Sequence, residues 1–200
     1  MELSLFLSLF GFLWVAAITP GPNNMLLTTS GANFGFVRTI PLMLGIMFGM
    51  QIMLLLIAFG VGNLIILYPA LHLFLKIAGS AYLLWLAWKI MTAAYESLEV
   101  KDHPEKTLPL WQGAVLQLVN PKAWLMSLGA VASFSLSGKA YITSIAGISL
   151  AMFLVNLIAG CIWLAFGTVI GRWLHSPRAW RQFNIIMGLL TALSVVLIWL

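Results

Sequence analysis

What most constrains this chain is a succession of apolar runs, each near the roughly 20 residues that a helix needs to cross a bilayer. They extend over residues 3–27, 41–67, 70–94, 111–135, 141–170 and 183–200. Of 200 residues, 62% are hydrophobic and 8% charged, against roughly 25% charged in a soluble domain. A water-soluble fold has too little interior to hide such runs. Hydrocarbon offers no partner for unpaired backbone groups, and helices pair their own. The pattern therefore predicts an all-α integral membrane protein of six transmembrane helices.

Several function classes fall away at this point. A net charge of +5 would suggest nucleic acid in a soluble protein, but here the cations sit between apolar runs, as cytoplasmic loops carry them. No nucleic-acid partner is expected. The single cysteine, Cys161, lies within an apolar run and reads as a packing residue, so neither a disulfide framework nor a cysteine metal site is expected. The first ten residues contain Glu2 and no Lys or Arg. They lack the basic start of a secretory signal, so the first helix is expected to be retained. Six spans leave no length for a soluble domain, and residues 1–200 are read as one transmembrane domain.

Residues 95–110 hold Glu96, Glu99, Lys101, Asp102, Glu105 and Lys106 and read as a charged cytoplasmic linker. It separates residues 1–94 from 111–200, three spans each, and an odd number of spans inverts the second half relative to the first. Weak internal similarity agrees with two inverted three-helix repeats. Pro20 stands before Leu44-Gly45-Ile46 at nearly the spacing that separates Pro121 from Ala146-Gly147-Ile148. Likewise Phe74-Leu75-Lys76-Ile77-Ala78-Gly79 can be laid on Phe183-Asn184-Ile185-Ile186-Met187-Gly188. Arg38, Lys89, Lys101, Lys106, Arg172, Arg178 and Arg181 flank alternate loops, against Lys76 and Lys139 on the other side. Excess basic residues mark the cytoplasmic face, so both termini are expected in the periplasm. Pro41 and Pro69 read as the edges of the second span.

Two spans are interrupted. Thr19-Pro20-Gly21-Pro22-Asn23-Asn24 breaks the first and Asn120-Pro121-Lys122 the fourth. Proline inside a helix removes a backbone bond and frees groups that hydrocarbon cannot satisfy. Two prolines, a glycine and two amides together are a poor design for a plain kink. Half-helix ends direct N–H groups toward a carboxylate and C=O groups toward an ammonium, and a zwitterionic amino acid has both. Lys122 is the one cation placed deep in a span. It is either a binding residue for a substrate carboxylate or a lysine snorkelling to the headgroups from a span that begins later.

Other polar residues within the spans are Gln51, Asn63, Gln117, Asn156 and Asn184. Interhelical packing is the simpler reading of each, with Asn156 the first candidate to line a cavity. The Gly45-Ile46-Met47-Phe48-Gly49 row reads as close helix packing. Trp85, Trp88, Trp111, Trp173, Trp180 and Trp199 read as interfacial belts. All five acids, Glu2, Glu96, Glu99, Asp102 and Glu105, lie at the terminus or in the linker. Hard-cation transport and an acidic proton relay both want intramembrane carboxylates. No metal site or cofactor is expected, and no serine has the His and Asp partners that hydrolysis needs.

Thr19-Pro20-Gly21-Pro22-Asn23, the Gly45 and Gly49 row, Asn120-Pro121-Lys122, and Gly79-Ser80-Ala81-Tyr82-Leu83-Leu84-Trp85-Leu86-Ala87-Trp88-Lys89 together resemble the lysine exporter/homoserine-threonine resistance (LysE/RhtB) family. The likeness runs over essentially the whole chain and is nearest to the neutral amino acid and cysteine/O-acetylserine exporters. It implies export of amino acids and close derivatives driven by the proton gradient. Many members carry an acid directly after the second glycine of the row, where this chain has Met50. That departure speaks against carboxylate-based coupling and against cationic substrates.

The expected function is thus a secondary exporter of small neutral amino acids in a bacterial inner membrane. Its substrate site would be built from Thr19, Pro20, Gly21, Pro22, Asn23, Asn24, Asn120, Pro121, Lys122 and Asn156. Its partners would be that substrate, membrane lipid and protons as coupling ion, with a homo-oligomer left open. The competing reading is a non-transporting membrane subunit or lipid-handling protein, in which both breaks are packing features.

Overall fold

The computed structural model describes residues 3–60, 69–92, 108–174, 176–193 and 195–196. Every regular element within them is helical: α1 (Leu3–Ile18), α2 (Pro22–Phe34), α3 (Phe36–Ala58), α4 (Pro69–Met91), α5 (Leu110–Val119), α6 (Pro121–Phe134), a 3-10 turn (Gly138–Ala140), α7 (Tyr141–Trp173) and α8 (Pro177–Leu193). Proline opens α2, α4, α6 and α8, where its missing N–H costs nothing and its fixed φ suits the first turn. By length and hydropathy, α3 and α7 can each cross a bilayer, and α1 with α2, bent by 55°, can form a third span. Among the described residues this gives two or three spans by those criteria. The six-span arrangement rests on the sequence pattern, and most of the charged linker and Asn63 lie outside the described residues.

Three sequence expectations are corrected. Pro41 lies inside α3 instead of at its edge, because the helix extends past the apolar run to Phe36. Thr39 supports that first turn by donating to the Gly35 carbonyl at 2.9 Å. Gly35, at φ 80°, reverses the chain between α2 and α3 in a single residue, a backbone state that a Cβ would strain. The last helix starts at Pro177, ahead of the apolar run, since the Ser176 hydroxyl accepts from the Ala179 N–H at 3.1 Å. Trp180 is only 5% exposed and packs in the core with Phe183 and Met187, so it is no belt residue. Trp85, Trp88, Trp111 and Trp173 are exposed, and Trp199 is not described.

Two apolar cores are stacked along the bundle. One joins Leu9 and Leu13 of α1, Met53 and Leu54 of α3, Ala130 of α6, and Ile148 and Met152 of α7. The other joins Met25 and Leu27 of α2, Leu42 and Met43 of α3, Leu83 and Ile90 of α4, Leu116 of α5 and Leu164 of α7. The helix breaks lie between them. Phe48, Ile52 and Leu55 on α3, and Ile158, Ile162 and Phe166 on α7, are exposed. These outward apolar stripes on α3 and α7 suit hydrocarbon surroundings.

Around the second core, backbone meets backbone through glycine. A Cβ on Gly45 would run into the Leu110 carbonyl, and one on Gly49 would come within 2.6 Å of the Ala114 carbonyl. Gly113 of α5 lies equally close to the Leu42 carbonyl. A matching seam joins α2 to α7, where Gly167 abuts Thr28 and Gly171 abuts Ala32. The Gly45 and Gly49 row is therefore packing, as small residues between membrane helices generally are.

Candidate functional site: two helix breaks that cap each other

A helix ends with four carbonyls that lack intrahelical donors. In α1 three of them are met locally. Val15 O receives the Thr19 N–H at 3.3 Å, Ala16 O the Thr19 hydroxyl at 3.0 Å, and Ala17 O the Asn24 amide at 2.8 Å. Asn24 also donates to Thr19 O at 2.8 Å. Gly21 is extended, at φ −174° and ψ 175°, and α2 restarts at Pro22 without a side-chain cap. Helical geometry leaves the first N–H groups of α2, those of Asn23 and Asn24, without intrahelical acceptors.

The second break reaches the first through Lys122 and through side-chain amides. Lys122 Nζ reaches Thr19 O at 2.6 Å, Thr19 Oγ1 at 2.8 Å and Pro20 O at 3.3 Å. An ammonium has three donors, and it sits here at the negative end of the α1 dipole. In return, Asn23 and Gln117 exchange a pair of amide hydrogen bonds of 2.9 and 3.1 Å. Asn120 donates to Asn23 Oδ1 at 3.1 Å and caps α6 by accepting from the Lys122 N–H at 3.2 Å. Each break is thus closed by side chains of the other. Lys122 stands at the junction of two half-helices and directs its ammonium across to the other break.

Between the two cores this arrangement leaves a partly open cavity of about 40 Å3, room for roughly three waters at about 10–15 Å3 each. Its polar lining is Asn23, Asn24, Asn120, Lys122 and Asn156. Met43, Met47, Met50 and Met126 line the apolar part, with Ala16, Ala17, Ala123, Ala159 and Gly160 making space. Gly21 and Pro22 also face it, whereas Thr19, Pro20 and Pro121 lie outside the lining and shape it through the backbone. Asn156 donates to its own helix, to Met152 O at 2.9 Å, leaving its side-chain carbonyl oxygen as an acceptor toward the cavity. No described residue is Asp or Glu, so no described carboxylate faces the site.

Two features went unread in the sequence. Gln117 joins the break network although nothing set it apart from other intramembrane amides. Its place three residues before Asn120, on the same helix face, is the signal that could have found it. The methionines were also missed, although Met43, Met47 and Met50 recur at helical spacing. Counted by position in the helix, Pro22 and not Pro20 corresponds to Pro121, since each is the first residue of its half-helix. With Pro22 as the partner, the proline stands 23 residues before Gly45 against 26 from Pro121 to Gly147, a looser match than Pro20 offered.

The sequence profile of the LysE type translocator matches residues 14–199. The chain belongs to that family. It is 31% identical over 182 residues to the cysteine/O-acetylserine efflux proteins of Salmonella paratyphi A and Salmonella typhi, which covers 91% of each chain. The protein of the same description from Escherichia coli strain K12 is 30% identical over the same share. No solved structure matches. The chain is accordingly a membrane translocator and not an enzyme, which favours transport over the reading of a non-transporting subunit.

Proposed function

We propose that this translocator is a secondary exporter of small neutral amino acids or their close derivatives, from the cytoplasm across a bacterial inner membrane. The observation that carries the proposal is the cavity at the crossing of the two helix breaks. It combines an ammonium, four amide side chains and a half-helix N-terminus with a small apolar wall. The α2 N-terminus and Lys122 suit a carboxylate. The Asn156 side-chain carbonyl suits an ammonium. With no acid among the lining residues, a cationic side chain would enter unpaired. The efflux relatives act on substrates of this size and charge by their description.

The six-span inverted repeat belongs to the same proposal. Arg38 follows the α2–α3 junction, Lys89 and Arg172 lie in the last turns of α4 and α7, and Lys76 and Lys139 lie toward the starts of those helices. That distribution supports a cytoplasmic second core and periplasmic termini. Proton coupling is proposed from the family resemblance.

Purified protein in liposomes preloaded with alanine, serine, cysteine, O-acetylserine, leucine or lysine tests the reading. Efflux of the small neutral solutes should follow an imposed proton gradient and stop when it is collapsed, with lysine retained. Release no faster than from empty liposomes for every solute would sink it.

A further inference from the structure

The cavity has a polar end at the breaks and an apolar end along α3, and one contact controls how much room the apolar end has. Gly160 lines the cavity one helical turn beyond Asn156 on α7, so an amino acid held by its α-groups near Asn156 would extend its side chain past Gly160. Facing it is Met43, buried at 4% exposure. A Cβ added to Gly160 would lie 3.2 Å from Met43 Sδ, 3.3 Å from its Cγ and 3.7 Å from Leu27 Cδ1. The absent side chain thus admits the thioether, and the two together fix the wall. Met43 is unbranched and polarizable, the kind of side chain that adapts to irregular neighbours.

We infer that Gly160 and Met43 form the side-chain subsite and set the upper size of the exported amino acid. The inference rests on the exporter reading above and adds which residues discriminate among neutral solutes. A methyl group at position 160 takes up room between Met43 and Leu27, and the thioether has to give way by a few tenths of an ångström, so the subsite narrows. Truncating Met43 widens it. One methylene of misfit in an apolar pocket changes selectivity by roughly 10- to 200-fold.

The test measures initial efflux of alanine, serine, leucine and methionine from liposomes containing wild type, Gly160→Ala, Met43→Ala or Met43→Leu, each at equal reconstituted amount. Gly160→Ala should reduce leucine and methionine efflux relative to that of alanine and serine by tenfold or more. Met43→Ala should shift the same ratio the other way, and Met43→Leu, close to Met43 in volume, should leave it within threefold. Wild-type efflux with ratios unmoved in Gly160→Ala and Met43→Ala, or with all four solutes scaled by one factor, would overturn this inference and leave the exporter reading standing. Wild type that releases none of the four overturns both.

Discussion

Lys122 has its three donors engaged by Thr19 and Pro20, so an arriving carboxylate has to displace one of those acceptors. Under the proposed reading, substrate binding therefore loosens the tie between the two breaks. Charge-assisted hydrogen bonds contribute about 1.5–3 kcal/mol, which is roughly ten- to a hundredfold in affinity. Lys122→Met should lower substrate affinity by that factor, and because it also uncaps α1 it should lower the thermal midpoint of the purified protein. Lys122→Arg should impair transport too, since a planar guanidinium does not reproduce a compact ammonium. A lysine serving only the headgroups would tolerate Arg and show little change with Met. Gly21 offers an independent handle. A Cβ there would lie 2.9 Å from Lys122 Cδ and 3.1 Å from its Nζ, so Gly21→Ala should dislodge the ammonium and reduce efflux with the charge retained. Unchanged efflux in Gly21→Ala would show that the Lys122 position is not critical. The polar residues of the breaks were legible because each interrupts an apolar run. Their partners were not, since nothing local to Lys122 announces that it will meet Thr19.

At the scale of helices, the breaks and the glycine seams make separate predictions. Pro20→Ala with Pro22→Ala returns two N–H donors and lifts the helix penalty of about 3 kcal/mol per proline, so α1 and α2 should tend toward one continuous helix. Efflux should be lost at an unchanged membrane level, and normal efflux would reduce the motif to a bend. The seam between α3 and α5 has no room for a side chain at Gly45, where the obstacle is backbone. Gly45→Ala should cost about 1–3 kcal/mol by overpacking, seen as a lower thermal midpoint. Gly11→Ala is the control, because nothing lies within 4 Å of a Cβ there and alanine suits a helix better. The interruptions of the first and fourth apolar runs could be read from proline alone. The start of α8 and the burial of Trp180 could not, because hydropathy reports where the chain is apolar and not where a capped helix extends beyond that run. The Ser176-Pro177 pair carried the missing signal.

For the molecule as a whole, the sequence pattern specified helices and a charge asymmetry, and the stacked cores appeared only in three dimensions. Both cores hold large side chains, and glycine lets backbone meet backbone beside the second, an arrangement that residue composition averages away. Reporter fusions test the proposed orientation: those after Leu200 or near Lys139 should lie outside the cytoplasm, those near Asp102 or Arg178 inside. A cytoplasmic C-terminus would remove the inverted repeat.

The reciprocal capping also has a history during synthesis. Thr19 and Lys122 are 103 residues apart, and at about 5–20 residues per second the ribosome needs about 5–20 s to make the chain between them. Throughout that interval the end of α1 is a half-helix whose partner has not yet been translated. Water, headgroups or the insertion machinery must hold the Thr19 and Pro20 oxygens that Lys122 later meets. A chain stalled before Gln117 therefore still carries a first break without its Lys122 partner, and that partner arrives only with completion of the second break.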